Sequence, residues 1–74
     1  MGLYTQMPLV TFVYGWCKIR LNIDAYTTWE WVVSVLDSYL GCGTKIKLKD
    51  PETKLVVEFD PVLLLSRYKV SRLK

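Results

Sequence analysis

Leu9-Val10-Thr11-Phe12-Val13-Tyr14-Gly15-Trp16-Cys17-Lys18-Ile19-Arg20-Leu21-Asn22-Ile23 is the stretch whose reading decides the fold. Two β-rich runs, 9–14 and 17–23, flank Gly15-Trp16, a Gly-X pair suited to a two-residue type II′ turn. A turn of that length fixes register, setting Tyr14 opposite Cys17, Phe12 opposite Ile19 and Val10 opposite Leu21. One face then gathers Val10, Phe12, Tyr14, Cys17, Ile19 and Leu21. The other carries Thr11 opposite Arg20 and Val13 opposite Lys18. Turn chemistry and hydrophobic alternation agree, so a hairpin with one covered face is expected.

The next segment changes period from two to 3.6. Thr27-Thr28-Trp29-Glu30 reads as a capping box, with Thr27 accepting from the Glu30 amide, and Gly41 suits the position just past a helix end. A helix is therefore predicted over 28–40. Glu30, Ser34, Asp37 and Ser38 form its polar stripe. Trp29, Val32, Val35, Leu36, Tyr39 and Leu40 cover the other side, with Trp31 and Val33 on the boundaries. This arc is wide, and the reading assigns it to the core.

A second hairpin follows. Ile46 and Leu48 alternate with Lys45, Lys47 and Lys49, as in a strand with one wet face. Asp50-Pro51-Glu52-Thr53 has type I turn chemistry, with Asp first and Pro second. Leu55, Val57 and Phe59 return as the next strand. Asp60-Pro61 reads as an N-cap with proline at the first helical position, opening a short helix over 62–65. The run 67–73 closes the sheet with Tyr68 and Val70 inward.

Two hairpins separated by a helix predict an α+β domain, ββαββ(short α)β, with the helix packed across a mixed sheet. A right-handed crossover leaves a gap beside strand one, which the last strand fills in parallel, giving the order 2-1-5-3-4. This β-grasp arrangement is similar to the ubiquitin superfamily over nearly the whole chain, Pro8 to Leu73. The most specific part is Thr28-Trp29-Glu30-Trp31-Val32 through Leu36 to Gly41, which matches that family's helix spacing. The hairpin Val10 to Gly15, and Glu58-Phe59-Asp60 ahead of an apolar segment, resemble the superfamily's self-assembling members. These are the DIX domains, the Phox/Bem-type domains and the N-terminal domain of the partitioning-defective polarity scaffold. The resemblance implies a protein-interaction module. The chain shows no terminal Gly-Gly, so conjugation to targets is not expected.

Seventy-four residues make one domain, 1–74, with a flexible N-terminus over 1–7. Its ending in a strand suits a domain taken from a longer chain. Half the residues are hydrophobic, at 51%, which supplies a core and argues against disorder. Histidine is absent and the two cysteines form no CxxC, so neither a zinc site nor a His-based triad can be assembled. Cys17 and Cys42 are expected to be reduced, buried thiols of a cytoplasmic protein. No cofactor, small-molecule substrate or enzymatic role is expected. The opening lacks a basic leader region, Gln6 breaks a myristoylation pattern, and no segment is long enough to span a bilayer.

Charge supplies the candidate site. The net charge is +3, with ten Lys and Arg against seven acids. Lys18 and Arg20 project from the outer face of strand two, one predicted edge of the sheet. Asp50, Glu52, Glu58 and Asp60 gather around strand four, the other edge. Lys45, Lys47 and Lys49 line the wet face of strand three, Lys69 joins them from strand five, and Trp16 stands exposed at the hairpin tip. The bland reading of these lysines is a solvated strand face. The functional reading is an electropositive surface for an acidic protein or for further copies of the chain, in head-to-tail order. Nucleic acid is disfavoured, because no outward aromatics interleave with the lysines. Two alternatives stay open: a Ras-association-type domain binding a small GTPase through strand two, and a structural lobe of a FERM-like module.

Overall fold

The computed structural model describes residues 8–73; the segment 1–7 lies outside them. In chain order the elements are β1 (Leu9–Tyr14), β2 (Cys17–Asn22), α1 (Trp29–Leu40), β3 (Ile46–Lys49), β4 (Val56–Val57) and β5 (Arg67–Arg72). The five strands form one mixed sheet in the order β2-β1-β5-β3-β4. β1 and β5 run parallel at its centre, and the other neighbours are antiparallel.

The first hairpin has the register its turn demands: Tyr14 opposes Cys17, Phe12 opposes Ile19 and Val10 opposes Leu21. Gly15 has φ 58°, while Lys54 is the one non-glycine with positive φ among the described residues. Trp16 therefore keeps a negative φ, and the positive–negative combination is that of a type II′ turn. An L side chain at position 15 would be strained there.

Val10, Phe12, Leu21 and Ile23 of the hairpin pack with Val32, Val33 and Leu36 of α1, with Cys42, and with Ile46, Leu48, Tyr68 and Val70. Phe12 and Tyr68, side by side on β1 and β5, are fully buried and stacked with centroids 5.6 Å apart. The buried Tyr68 hydroxyl accepts from the Leu65 N–H at 2.9 Å, so the ring enters the core without an orphaned polar atom.

Several expectations are corrected. Thr28, not Thr27, is the N-cap of α1: its Oγ1 accepts from the Trp31 N–H at 3.2 Å. Thr27 instead donates its hydroxyl to Asp24, and the Thr27 Oγ1 accepts from the Asp24 N–H, which binds the β2–α1 loop together. The helix buries Val32, Val33 and Leu36 with Trp29, Val35 and Leu40 beside them, while Tyr39 is exposed. Counted from Trp29, the covered positions are i, i+3, i+4, i+6, i+7 and i+11. Trp31 and Tyr39 lie outside them. Gly41 ends the helix as expected, with φ 65° and its N–H donating to the Asp37 carbonyl.

The second hairpin is shorter than its apolar alternation suggests. β4 is two residues long, and Leu55 is exposed rather than inward. The connection is a four-residue loop rather than a simple type I turn: the Lys54 N–H donates to the Asp50 carbonyl, and the Asp50 N–H to the Leu55 carbonyl. Lys54 takes the left-handed conformation that closes such a loop. The short helix over 62–65 does not form. Asp60 does cap, accepting the Val62 N–H at 2.8 Å. However, the Leu65 N–H, which a helix would aim at the Pro61 carbonyl, is taken by the Tyr68 hydroxyl. Val62 and Leu63 are left exposed in a bend. Cys17 is exposed, contrary to expectation, because it sits at the hairpin end beyond the reach of α1; Cys42 is buried, and both thiols are free.

Candidate interaction surface

Strand alternation sorts every charged side chain of the sheet. Core residues occupy one face, and their neighbours point to the other, which no helix among the described residues covers. The outward positions are Leu9, Thr11 and Val13 on β1, Lys18, Arg20 and Asn22 on β2, Lys47 and Lys49 on β3, Val56 on β4, and Arg67, Lys69 and Ser71 on β5. Six of these twelve positions are cationic and none is acidic.

Register turns the cations into two rows. One row runs Lys18, Val13, Lys69, Lys49 and Val56 across all five strands; the other runs Arg20, Thr11 and Arg67. With strands about 4.8 Å apart, Lys18 and Lys49 are separated by about 14 Å. Lys69 and Lys49 are direct cross-strand partners. Lys18, Arg20, Arg67 and Lys69 are exposed, and Lys47 and Lys49 half-buried. Lys45 is exposed just before β3, where its carbonyl accepts from the Leu73 N–H. The sequence reading treated Lys18 and Arg20 as an edge and missed Arg67. The pairing of β5 with β1, expected from connectivity, joins them into one surface.

The other arginine of β5 behaves differently. Arg72 pairs with Ile46 on the covered side, yet it bears a charge. Its Nε donates to the Cys42 carbonyl at 3.0 Å and its Nη2 to the Gly41 carbonyl at 3.3 Å. The last turn of α1 contains no basic residue, so Arg72 supplies from β5 the cation that a helix C-terminus favours.

The acidic candidates bracket β4, the outer strand opposite β2. Asp50 and Glu52 lie in the β3–β4 loop, where Asp50 accepts from the Glu52 N–H at 2.8 Å. Pro51 folds toward the open face, lining a shallow depression with Val13, Arg67, Tyr68 and Lys69. Glu58 and Asp60 follow β4. Asp60 is held by its own turn, so Glu52 and Glu58 are the two exposed carboxylates of the four. Lys54 stands among them, a neighbour that the sequence reading passed over.

Because β4 pairs only with Leu48 and Lys49, it leaves the first half of β3 uncovered. A groove opens there, lined by Trp29, Ile46, Leu48, Val57 and Phe59, with Lys47 and Glu58 on it. Trp29 and Phe59 close its floor as a tilted pair with centroids 5.8 Å apart. At the far side of the molecule Trp16 is fully exposed at the β1–β2 tip, two residues from Lys18. Among the described residues no three potential metal ligands cluster, and no helix is long and apolar enough to cross a membrane. Neither a protein-family model, nor a curated protein, nor a solved structure significantly matches this chain.

Proposed function

We propose that this chain is a β-grasp protein-interaction module, without enzymatic activity, that associates head-to-tail with copies of itself. The element order and the 2-1-5-3-4 sheet support the β-grasp assignment. The observation that carries the functional reading is complementarity between the two ends of the sheet. At the β2 end stands a fully exposed Trp16 with Lys18 and Arg20 beside it; at the β4 end lies an apolar groove with Glu58 on its wall. A tryptophan entering an apolar pocket, flanked by opposite charges, is the usual anatomy of an interface anchor. Two different patches meet, so the contact is heterologous and propagates. Charge sets orientation and on-rate, while the indole supplies affinity.

Light scattering tests this as molar mass against protein concentration. Mass should climb with concentration and fall with salt. Lys18→Glu should hold the protein monomeric, and mixing it with a Glu58→Ala variant should restore a dimer through one matched interface. A constant monomer mass for the unaltered chain at all concentrations would refute self-association. One observation favours a second reading, in which β2 adds to the sheet edge of a different protein, as in Ras-association-type domains. β2 offers six residues of open edge, whereas β4 offers two. A monomer that nevertheless captures a GTP-loaded GTPase through Lys18 and Arg20 would establish that reading instead.

A further inference from the structure

We infer that the open face of the sheet is a docking surface for an anionic lipid bilayer. The inference does not require self-association: Lys18 and Arg20 belong to both surfaces, but Lys49 and Lys69 lie between the two ends used above.

Three observations carry it. The first is the uniform sign: six cations from three strands and no acid at any outward strand position. A face kept soluble for its own sake interleaves both signs, and this one does not. The second is that the arrangement opposes folding. Lys49 and Lys69 are direct partners across an antiparallel pair, where like charges destabilise a sheet. A local rule broken between a half-buried and an exposed position, where uncharged polar residues would serve, points to a use for the charge. The third is the aliphatic residues that share the face. Leu9 is 53% exposed and Val56 59% exposed, and Val13 sits between Lys18 and Lys69. Cations mixed with aliphatics on an open sheet face suit the interfacial zone of a bilayer, where lysine and arginine meet lipid phosphates and short apolar groups settle among the headgroups. Nucleic acid fits less well, because the outward strand positions include no aromatic on which a base could stack. Asp50 and Glu52 beside Arg67 weaken one corner, so the strongest contact runs from Lys18 and Arg20 to Lys69 and Lys49.

Co-sedimentation of the unaltered protein with vesicles tests the inference, using phosphatidylcholine alone and phosphatidylcholine mixed with phosphatidylserine. Binding to the mixed vesicles only, weakening with salt, is expected. Each cation near an anionic surface contributes about fivefold to partitioning. Lys69→Glu, which changes the local charge by two, should therefore lower it about 25-fold. The same variant places opposite charges across β3 and β5, so its Tm should rise by about 2–5 °C. Loss of binding in a more stable protein cannot be a folding defect. Glu52→Gln should tighten binding severalfold. The inference is overturned if the unaltered protein binds neither vesicle or binds both equally. It is also overturned if Lys69→Glu binds as well as the parent, or if duplex DNA or RNA competes the protein off the vesicles at equal phosphate concentration.

Discussion

The two faces of the sheet are built from the same five strands by the same alternation, yet they obey different rules. On the covered face, register sets apolar side chains together: Phe12 beside Tyr68, Leu48 beside Val70, Val10 beside Leu21. Apart from Arg72, whose charge meets the carbonyls at the end of α1, local preferences there agree with the fold. On the open face the same register sets Lys49 beside Lys69 and surrounds them with four further cations. The covered face is optimised for stability, and the open face gives some stability away. The proposed bilayer contact rests on the second.

The comparison breaks first, and most visibly, at Phe12 and Val13, adjacent on β1 but pointing opposite ways. Phe12→Ala removes a fully buried ring stacked on Tyr68, and should cost about 3–5 kcal/mol in urea unfolding. For so small a domain that is most of the total stability, which for a domain of this length is of order 4–11 kcal/mol. Val13→Ala should cost under about 1 kcal/mol. Similar losses at both positions would mean that the open face is covered in solution.

A smaller effect separates the two thiols. Burial pushes the Cys42 thiol above its usual pKa, with the Asp37 carboxylate adding to the shift, against the lowering effects of a backbone hydrogen bond and Arg72. A folded pKa raised above the unfolded one leaves stability undiminished below the unfolded value. Stability is then lost as pH rises from about 8.5 towards the folded value. Urea midpoints should fall across that range, and Cys42→Ala should flatten the decline. In the native protein iodoacetamide should alkylate Cys17 alone, since Cys42 is reached only through opening. Equal labelling of both would remove Cys42 from the core.

The smallest effect sharpens the claim that the open face opposes folding. Lys49→Gln should raise stability by a few tenths of a kcal/mol, and added salt should raise the Tm of the parent more than that of the variant. Identical salt responses would remove the repulsion argument.

Legibility followed distance along the chain. Gly15-Trp16 and the flanking alternation are local, so the hairpin register could be read pair by pair. The sheet order was legible because chain connectivity permits few arrangements. Alternation and strand order put Lys18, Arg20 and Lys69 on one face, but Arg67 was overlooked as a member of it. Their union depends on a parallel pairing between residues more than fifty positions apart. Two threonines in a row left the cap ambiguous, and the Asp24 side chain chose by engaging Thr27.

The sequence by itself determined the first hairpin, the helix, its glycine stop and the order of the strands. Each follows from turn chemistry, hydrophobic period or connectivity, which act over a few residues or restrict topology outright. Tertiary structure alone decided that Asp60-Pro61 opens no helix, that Cys17 is exposed while Cys42 is buried, and that Arg72 caps α1 from another strand. It also decided the register that sets Lys49 directly opposite Lys69. In each case the deciding partner is a group whose proximity exists only once the sheet has closed: a hydroxyl, a helix end or a neighbouring strand.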